Sequence, residues 1–461
     1  MRSKFMQWLG IKQLSLTVFE KILLLAPLLL WFSHQPLISF GSDSTMFFDI
    51  SIAEIYMLIL ALSATIGIWQ QRKNLAKHWP FSLTTAFALM SAVSLAWTPS
   101  LLRGFLTLGL IGIIYLVFLG VMFSPNIKRL LPSLIRLTIV GALIMCVIAL
   151  IQFIAGIWLP SDITLLCGGC VADQFGFVRV TGFTVEPQYF GNMLLLPTFL
   201  VLYRALYKKP EWRSFGILIL FVITLFLTMS RGAIFAFSVG FILLLIMSLA
   251  QKNGWKKILS VIGVTLAGVV IAISAQGLAA EVNPYFQETF LSATTKSIDQ
   301  LSLGTIDLRL KSTSIEESTG DTTKQQTNFD GYVAESTDYR LSLTGQALET
   351  WWYDPVISLF GVGLGGAGQA MANYTGQISS LAIVQNEYAE ILLELGFIGF
   401  ALFFIMIAGL FYVTRHKKWL WAVLAAFITQ WFFFSGYPNA LHIYLILMVI
   451  VASCYQTKSN I

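Results

Sequence analysis

Charge is scarce in this 461-residue chain: Asp, Glu, Lys and Arg make up 11% of it, against 57% hydrophobic residues. A soluble globule carries about 25% charged residues, so a water-soluble fold is excluded at the outset. Cysteine is equally sparse, with four copies. Cys146 and Cys454 lie in apolar runs, and Cys167 and Cys170 form "CGGC". With no histidine nearby, that pair cannot complete a four-ligand zinc site. A local bridge or two free thiols is the expectation. No internal repeat stands out, and the first apolar run, from about Ile22, lacks a small-residue cleavage site and reads as a retained span. The formal charge of +6 is spread over short basic clusters between apolar runs, which is not a nucleic-acid signature.

What is present is a series of apolar stretches of membrane-spanning length, with a mean hydropathy of +0.77. The expected fold is an all-α polytopic membrane protein of about twelve transmembrane helices with a large extracytoplasmic loop. The spans are read at 19–39, 50–69, 80–97, 104–123, 135–156, 187–206, 214–229, 232–250, 257–276, 387–413, 420–434 and 439–455. With that count, the clusters "RSK", "QQRKNLAKH", "NIKRLLPSLIR", "YRALYKKPEWR", "QKNGWKK" and "RHKK" all fall on the side of the N-terminus. Positive residues gather in cytoplasmic loops, so both termini are expected in the cytoplasm. Three regions follow: nine helices over 1–277, an extracytoplasmic loop over 278–386, and three helices over 387–461. Residues 278–385 hold 12 Asp/Glu and 5 Lys/Arg, whereas the rest of the chain holds 11 and 24. Residues 310–337 have little apolar content and read as flexible. "EVNPYFQETFLSA" and "LSLTGQALETWWYD" read as short amphipathic helices, and "LFGVGLGGAGQAMANY" as a glycine-rich turn without the lysine of a phosphate-binding loop.

Three arginines break the orientation rule. Arg231 interrupts an otherwise uncharged run from Phe215 to Ala250. That run would make a helix of about 54 Å, too long for a hydrocarbon core about 30 Å thick, so it reads as two helices joined by a turn at "SRG". The turn falls at the outer face. Arg179 and Arg340 fall there too. Arginine binds phosphate bidentately and keeps its charge, so the three point to an anionic ligand. Pairing of Arg340 with Asp338 and of Arg179 with Glu186 is the plainer alternative, as is snorkelling of Arg231. Glu387, Glu390 and Glu394 lie along one helical face at the outer start of a span. Glu387 is best placed to meet the arginines and to accept a proton from a hydroxyl. Tyr189, Trp351, Trp352 and Tyr353 would stack on sugar rings or anchor at the interface.

Four segments together resemble the O-antigen ligase / O-antigen polymerase superfamily, most clearly over about 175–435: "RVTGFTVEPQYFGN", "LTMSRGAIFAF", "RLSLTGQALETWWYDPVISLFGVGLGG" and "VQNEYAEILLELGFIGF". The resemblance implies a glycosyltransferase that moves a glycan from an undecaprenyl pyrophosphate carrier to an acceptor hydroxyl on a lipid, glycan or protein. It implies no cofactor and no metal, in a bacterial inner (plasma) membrane, as part of cell-surface polysaccharide or lipopolysaccharide biosynthesis. Arg179 and Arg231, with Arg340 as a third candidate, would hold the pyrophosphate. Glu186, Tyr189 and Trp351 would contact glycan or acceptor. The family's histidine before the asparagine is Gln385 here, and an amide is no useful base. Either Glu387 takes the proton, or departure of the leaving group dominates and Asn386 and Gln385 merely orient the acceptor. The motifs fit ligase and polymerase alike. A flippase of lipid-linked glycans is the alternative class, since twelve spans suit a transporter, but the polar residues collect at one face rather than at the midplane.

The charge pattern makes a direct prediction. In intact cells, with Cys167 and Cys170 replaced by serine, a membrane-impermeant maleimide labels a Ser314→Cys variant and spares Asn74→Cys. Equal labelling of both would overturn the orientation.

Overall fold

The computed structural model describes residues 15–33, 36–40, 48–71, 79–159, 178–184, 186–208, 211–251, 254–283, 329–376, 378–436 and 440–458. Cys167 and Cys170 lie outside them. The described chain is predominantly helical. In order it forms α1 (Val18–Leu23), α2 (Ala26–Leu29), an antiparallel ribbon of β1 (Pro36–Phe40) and β2 (Phe48–Ser51), then α3 (Ile52–Gln71), α4 (Trp79–Ser94), α5 (Leu101–Phe123), α6 (Ile127–Trp158), α7 (Pro187–Tyr207), α8 (Trp212–Leu227), α9 (Arg231–Leu249) and α10 (Gly254–Val282). Three helices follow within the expected loop, α11 (Phe329–Trp352), α12 (Pro355–Phe360) and α13 (Ala367–Thr375), and then α14 (Glu387–Thr414), α15 (Trp419–Gln430) and α16 (Leu441–Lys458). Seven helices among the described residues are long and apolar enough to cross a membrane: α3, α5, α6, α7, α9, α10 and α14.

Helix α7 is the centre of the bundle. Of its best apolar window, 83% is buried inside the protein, the highest share of the seven. Phe190, Leu194, Leu195 and Phe199 are fully enclosed. Pro187 sits in its first turn, where the missing N–H costs nothing and the fixed φ favours helix.

Two expectations need correction. The stretch read as one span at 19–39 is two short helices followed by a strand. Pro27 cannot donate within a helix, and its carbonyl is taken by the Trp31 indole at 3.0 Å. Of the stretch read as flexible at 310–337, residues 310–328 lie outside the described residues, and 329–337 open helix α11. α11 docks through Leu343, Ala347 and Thr350, a buried row at helical spacing. The glycine-rich segment is no loose turn: residues 361–368 are all buried. Val362 and Gly363 donate to the Leu393 and Glu394 carbonyls, both at 2.9 Å. Trp97 donates to the Gly361 carbonyl at 3.1 Å, and Thr98 to that of Leu364 at 2.9 Å.

This wedge explains a break in α14. Gly396 has φ 63°, and Gly361 has φ 77°. A Cβ on Gly396 would stand 2.4 Å from the Leu359 carbonyl oxygen, and one on Gly361 2.2 Å from that of Glu394. The two backbones touch where neither tolerates a side chain, and only glycine takes this conformation without cost. Gly396→Ala is expected to destabilise the protein by about 2 kcal/mol or more. Gly345→Ala, in α11 with open space around it, is expected to be neutral or slightly stabilising. Thermal unfolding of the purified variants in detergent measures both.

Candidate functional site

At one end of the bundle, short non-helical segments are buried among helix ends. Each needs its peptide groups satisfied. Residues 178–184 show how. The Gln276 amide donates to the Val178 carbonyl at 2.8 Å. Gln152 donates to the Gly182 carbonyl at 2.6 Å and accepts from the Gly182 N–H at 2.8 Å. Val180 donates to the Leu227 carbonyl at 3.3 Å. These bonds lay the segment along the end of α8, and the Arg179 guanidinium donates to the Thr228 carbonyl at 3.1 Å.

Thr228 begins the turn between α8 and α9. Met229 adopts φ 49°, Ser230 is the N-cap, and Arg231 is the first residue of α9. The break falls where the sequence placed it. A cation at a helix N-terminus opposes the helix dipole, which makes the position unfavourable unless negative charge approaches. Beside it, a Cβ on Gly232 would stand 2.7 Å from Phe433 and 3.5 Å from the Gln188 amide nitrogen. Gln188, in the first turn of α7, donates to the Phe433 carbonyl at 2.6 Å. Arg340 of α11 donates to the Gln188 side-chain oxygen at 3.3 Å and to the same Phe433 carbonyl at 3.4 Å. The turn regions of Arg179 and Arg231 are thus contiguous, and Gln188 and Phe433 join Arg340 to them. Sequence reasoning did not single out Gln188 or Phe433.

The carboxylates arrive from α14. Gln385 has φ 61°, and Asn386 is the N-cap, its side-chain oxygen accepting from Tyr388 and Ala389 at 3.1 and 3.2 Å. That reversal turns Glu387 inward to 1% exposure, with its N–H on the Trp431 carbonyl at 3.0 Å. Tyr388 and Tyr444 lie close to it. Tyr444 and the Trp431 indole are hydrogen-bonded at 2.8 Å. Glu186 is exposed at the N-cap of α7. Tyr189, one turn on, meets Phe434 edge-on at 4.8 Å and stacks on His442 at 6.1 Å. Trp351 stands apart, about three turns along α11 from Arg340, with its indole N–H on the Ser358 carbonyl at 2.9 Å.

Glu390 and Glu394 face a different set of groups. The Glu394 carboxylate accepts from the backbone of Gly365 and Ala367 and so anchors the glycine wedge. Glu390 faces the Ser435 hydroxyl, and Arg103 lies within electrostatic reach of both carboxylates. Arg103, in the first turn of α5, also donates to the Ala382 carbonyl at 3.4 Å. It is a fourth cation at this end, and the sequence carried the signal for it: "TPSLLRG" joins two spans on the side where positive charge is not expected. Among the described residues no group of three or more His, Cys, Asp and Glu is arranged to hold a metal ion.

The fold is that of a helical membrane protein, with polar and cationic side chains gathered among helix termini at one end. A family model described as O-Antigen ligase matches residues 216–404. That stretch carries Arg231, Arg340, Trp351, Gln385, Asn386 and Glu387, and puts the resemblance to the O-antigen ligase superfamily on independent ground. It supports an O-antigen-ligase-like function in general terms. No curated protein matches the chain.

Arg103 lies within electrostatic reach of the half-buried Glu390 and the buried Glu394. Arg103→Met is expected to cost about 1 kcal/mol, seen as a lower unfolding temperature. Adding Glu390→Gln to it should restore part of the loss. A fall that Glu390→Gln leaves untouched would show that Arg103 acts through its backbone contact instead.

Proposed function

We propose that the protein is a glycosyltransferase of the O-antigen ligase type. It transfers a glycan from undecaprenyl pyrophosphate to an acceptor hydroxyl at the outer face of the membrane, with both termini cytoplasmic. The observation that carries this reading is the junction of Arg340, Gln188 and the Phe433 carbonyl beside Gly232. It joins Arg340 to the turn that bears Arg231. Both acceptors that Arg340 uses there are neutral, so neither cancels its charge, and a guanidinium has five donors in a fork that matches phosphate.

In this reading the bond between the anomeric carbon and the pyrophosphate oxygen breaks, and its electron pair leaves with undecaprenyl pyrophosphate. Arg179, Arg231 and Arg340 stabilise the charge that develops there. The acceptor oxygen forms the new glycosidic bond. Its proton passes to Glu387, since Gln385 cannot take it and the Asn386 oxygen is occupied in capping α14. Glu186 and Tyr189 line the approach at the start of α7. No step calls for a metal. Trp351 lies too far along α11 to touch the same atoms and would meet a more distant sugar.

The test is transfer in proteoliposomes with a polyprenyl-pyrophosphate-linked glycan and candidate acceptors. Arg231→Ala is expected to lower transfer by about 100-fold or more, and Glu387→Gln by about 100-fold. Loss with Arg231→Ala alone would keep the pyrophosphate clamp and remove Glu387 as the base. Lipid flipping blocked by Arg231→Ala with transfer intact would sink the enzyme reading. The mass of the product separates ligase from polymerase.

A further inference from the structure

A cleft of about 250 Å³ runs between α4, α5, α14, α15 and α16. Its walls include Leu83, Phe87, Ile111, Phe403, Leu410 and Met448. The polar groups along it are already engaged: Tyr115 with Thr85 at 2.6 Å, Thr84 with the Pro80 carbonyl at 2.8 Å, and Tyr444 with Trp431. Nothing in it asks for a polar ligand. The lining extends from Ile111 to Met122 on α5 and from Tyr444 to Tyr455 on α16. Eleven residues of helix rise about 16 Å, half of a hydrocarbon core about 30 Å thick. The length matches one acyl chain of one leaflet.

The end of the cleft away from the arginine site is ringed by positive charge. Trp79 and Tyr455, both in the lining, meet edge-on at 6.2 Å, and Trp79 meets Tyr412 at 6.1 Å. The Arg415 guanidinium lies over the Tyr412 ring at 4.4 Å. Arg415, Lys417 and Lys418 are exposed on the turn from α14 to α15, two to five residues past the lining residue Val413. On the other flank Lys128 donates to the Gln456 carbonyl at 2.9 Å, and the Gln456 amide donates to the carbonyl of Met122, another lining residue, at 2.7 Å. Glu20, an acidic group in this quarter, is fully buried and accepts from Thr17, Ser124 and Asn126.

We propose that this cleft is a binding site for an anionic glycerophospholipid. One acyl chain fills the cleft, and the phosphate is held at the rim by Arg415, Lys417, Lys418 and Lys128. An apolar slot alone would accept any chain. The basic rim selects the headgroup, as basic pockets between membrane helices do. The basic rim lies at the opposite end of the bundle from the arginine cluster, while the inner end of the cleft reaches Trp431 and Tyr444 beside Glu387; lipid retention at the rim does not depend on the reaction proposed above.

The test uses full-length protein in nanodiscs of equal phosphatidylglycerol and phosphatidylcholine, extracted into mild detergent, with retained lipid identified by native mass spectrometry. Wild type is expected to retain phosphatidylglycerol in preference. Replacing the exposed pair, Lys417→Gln with Lys418→Gln, is expected to lower that preference by about an order of magnitude. Ala88→Phe, which fills the cleft, is expected to abolish retention of either lipid. Equal retention of the two lipids by wild type, or a preference unmoved in the double lysine variant, would overturn the proposal. The lysine variant changes only surface side chains, so it decides the matter even if Ala88→Phe fails to fold.

Discussion

The demand that every buried peptide group find a partner governs this structure. Helices meet the demand internally, so they can stand in lipid. Residues 178–184, the glycine wedge at 361–366 and the return segment at 431–435 cannot. Each is satisfied by a specific group on a neighbouring helix. Gln152 and Gln276 hold the first. Ser94, Thr98 and the Glu394 carboxylate hold the second. Gln188 and the Glu387 N–H hold the third. All three lie at the end of the bundle where the arginines collect. Irregular backbone at such depth occurs only where it is buried in protein or lines a cavity, and here it carries the residues that a site would use.

The helical part of the fold was legible because its cause is local. An apolar run of span length becomes a helix whatever its neighbours do, and every stretch read as a span after the first coincides with one. The first failed because Pro27 and Pro36 interrupt a run whose hydropathy alone looks continuous. The wedge at 361–366 was illegible for another reason. Glycine-rich sequence reads as a turn when its conformational freedom is considered alone. Its role is set by a partner, Gly396, more than thirty residues away, and only their joint approach shows why both lack a side chain.

The gathering of arginines at this end was legible in part for the same physical reason. A misplaced guanidinium is costly enough to stand out, so Arg179, Arg231 and Arg340 could be found from orientation alone. Arg103 obeyed the same rule and was passed over. The residues that join the cluster, Gln188 and the Phe433 carbonyl, carry no such signal. A glutamine near a helix start is ordinary, and a backbone carbonyl is invisible in sequence. Trp351 illustrates the converse. Its residue type suits a sugar, but its indole N–H is committed to Ser358.

The two ends of the bundle use the same kind of charge differently. At the basic rim Arg415, Lys417 and Lys418 stand exposed, where salt and water screen them and where loss of one costs the fold little. At the other end Arg340 is half-buried among neutral acceptors, and Arg231 opens a helix whose dipole opposes it. In the reading proposed above, a ligand that brings negative charge is what cations so placed would meet. In that reading Glu387, 1% exposed beside Trp431 and Tyr444, is the group that takes the proton once a hydroxyl is brought to it.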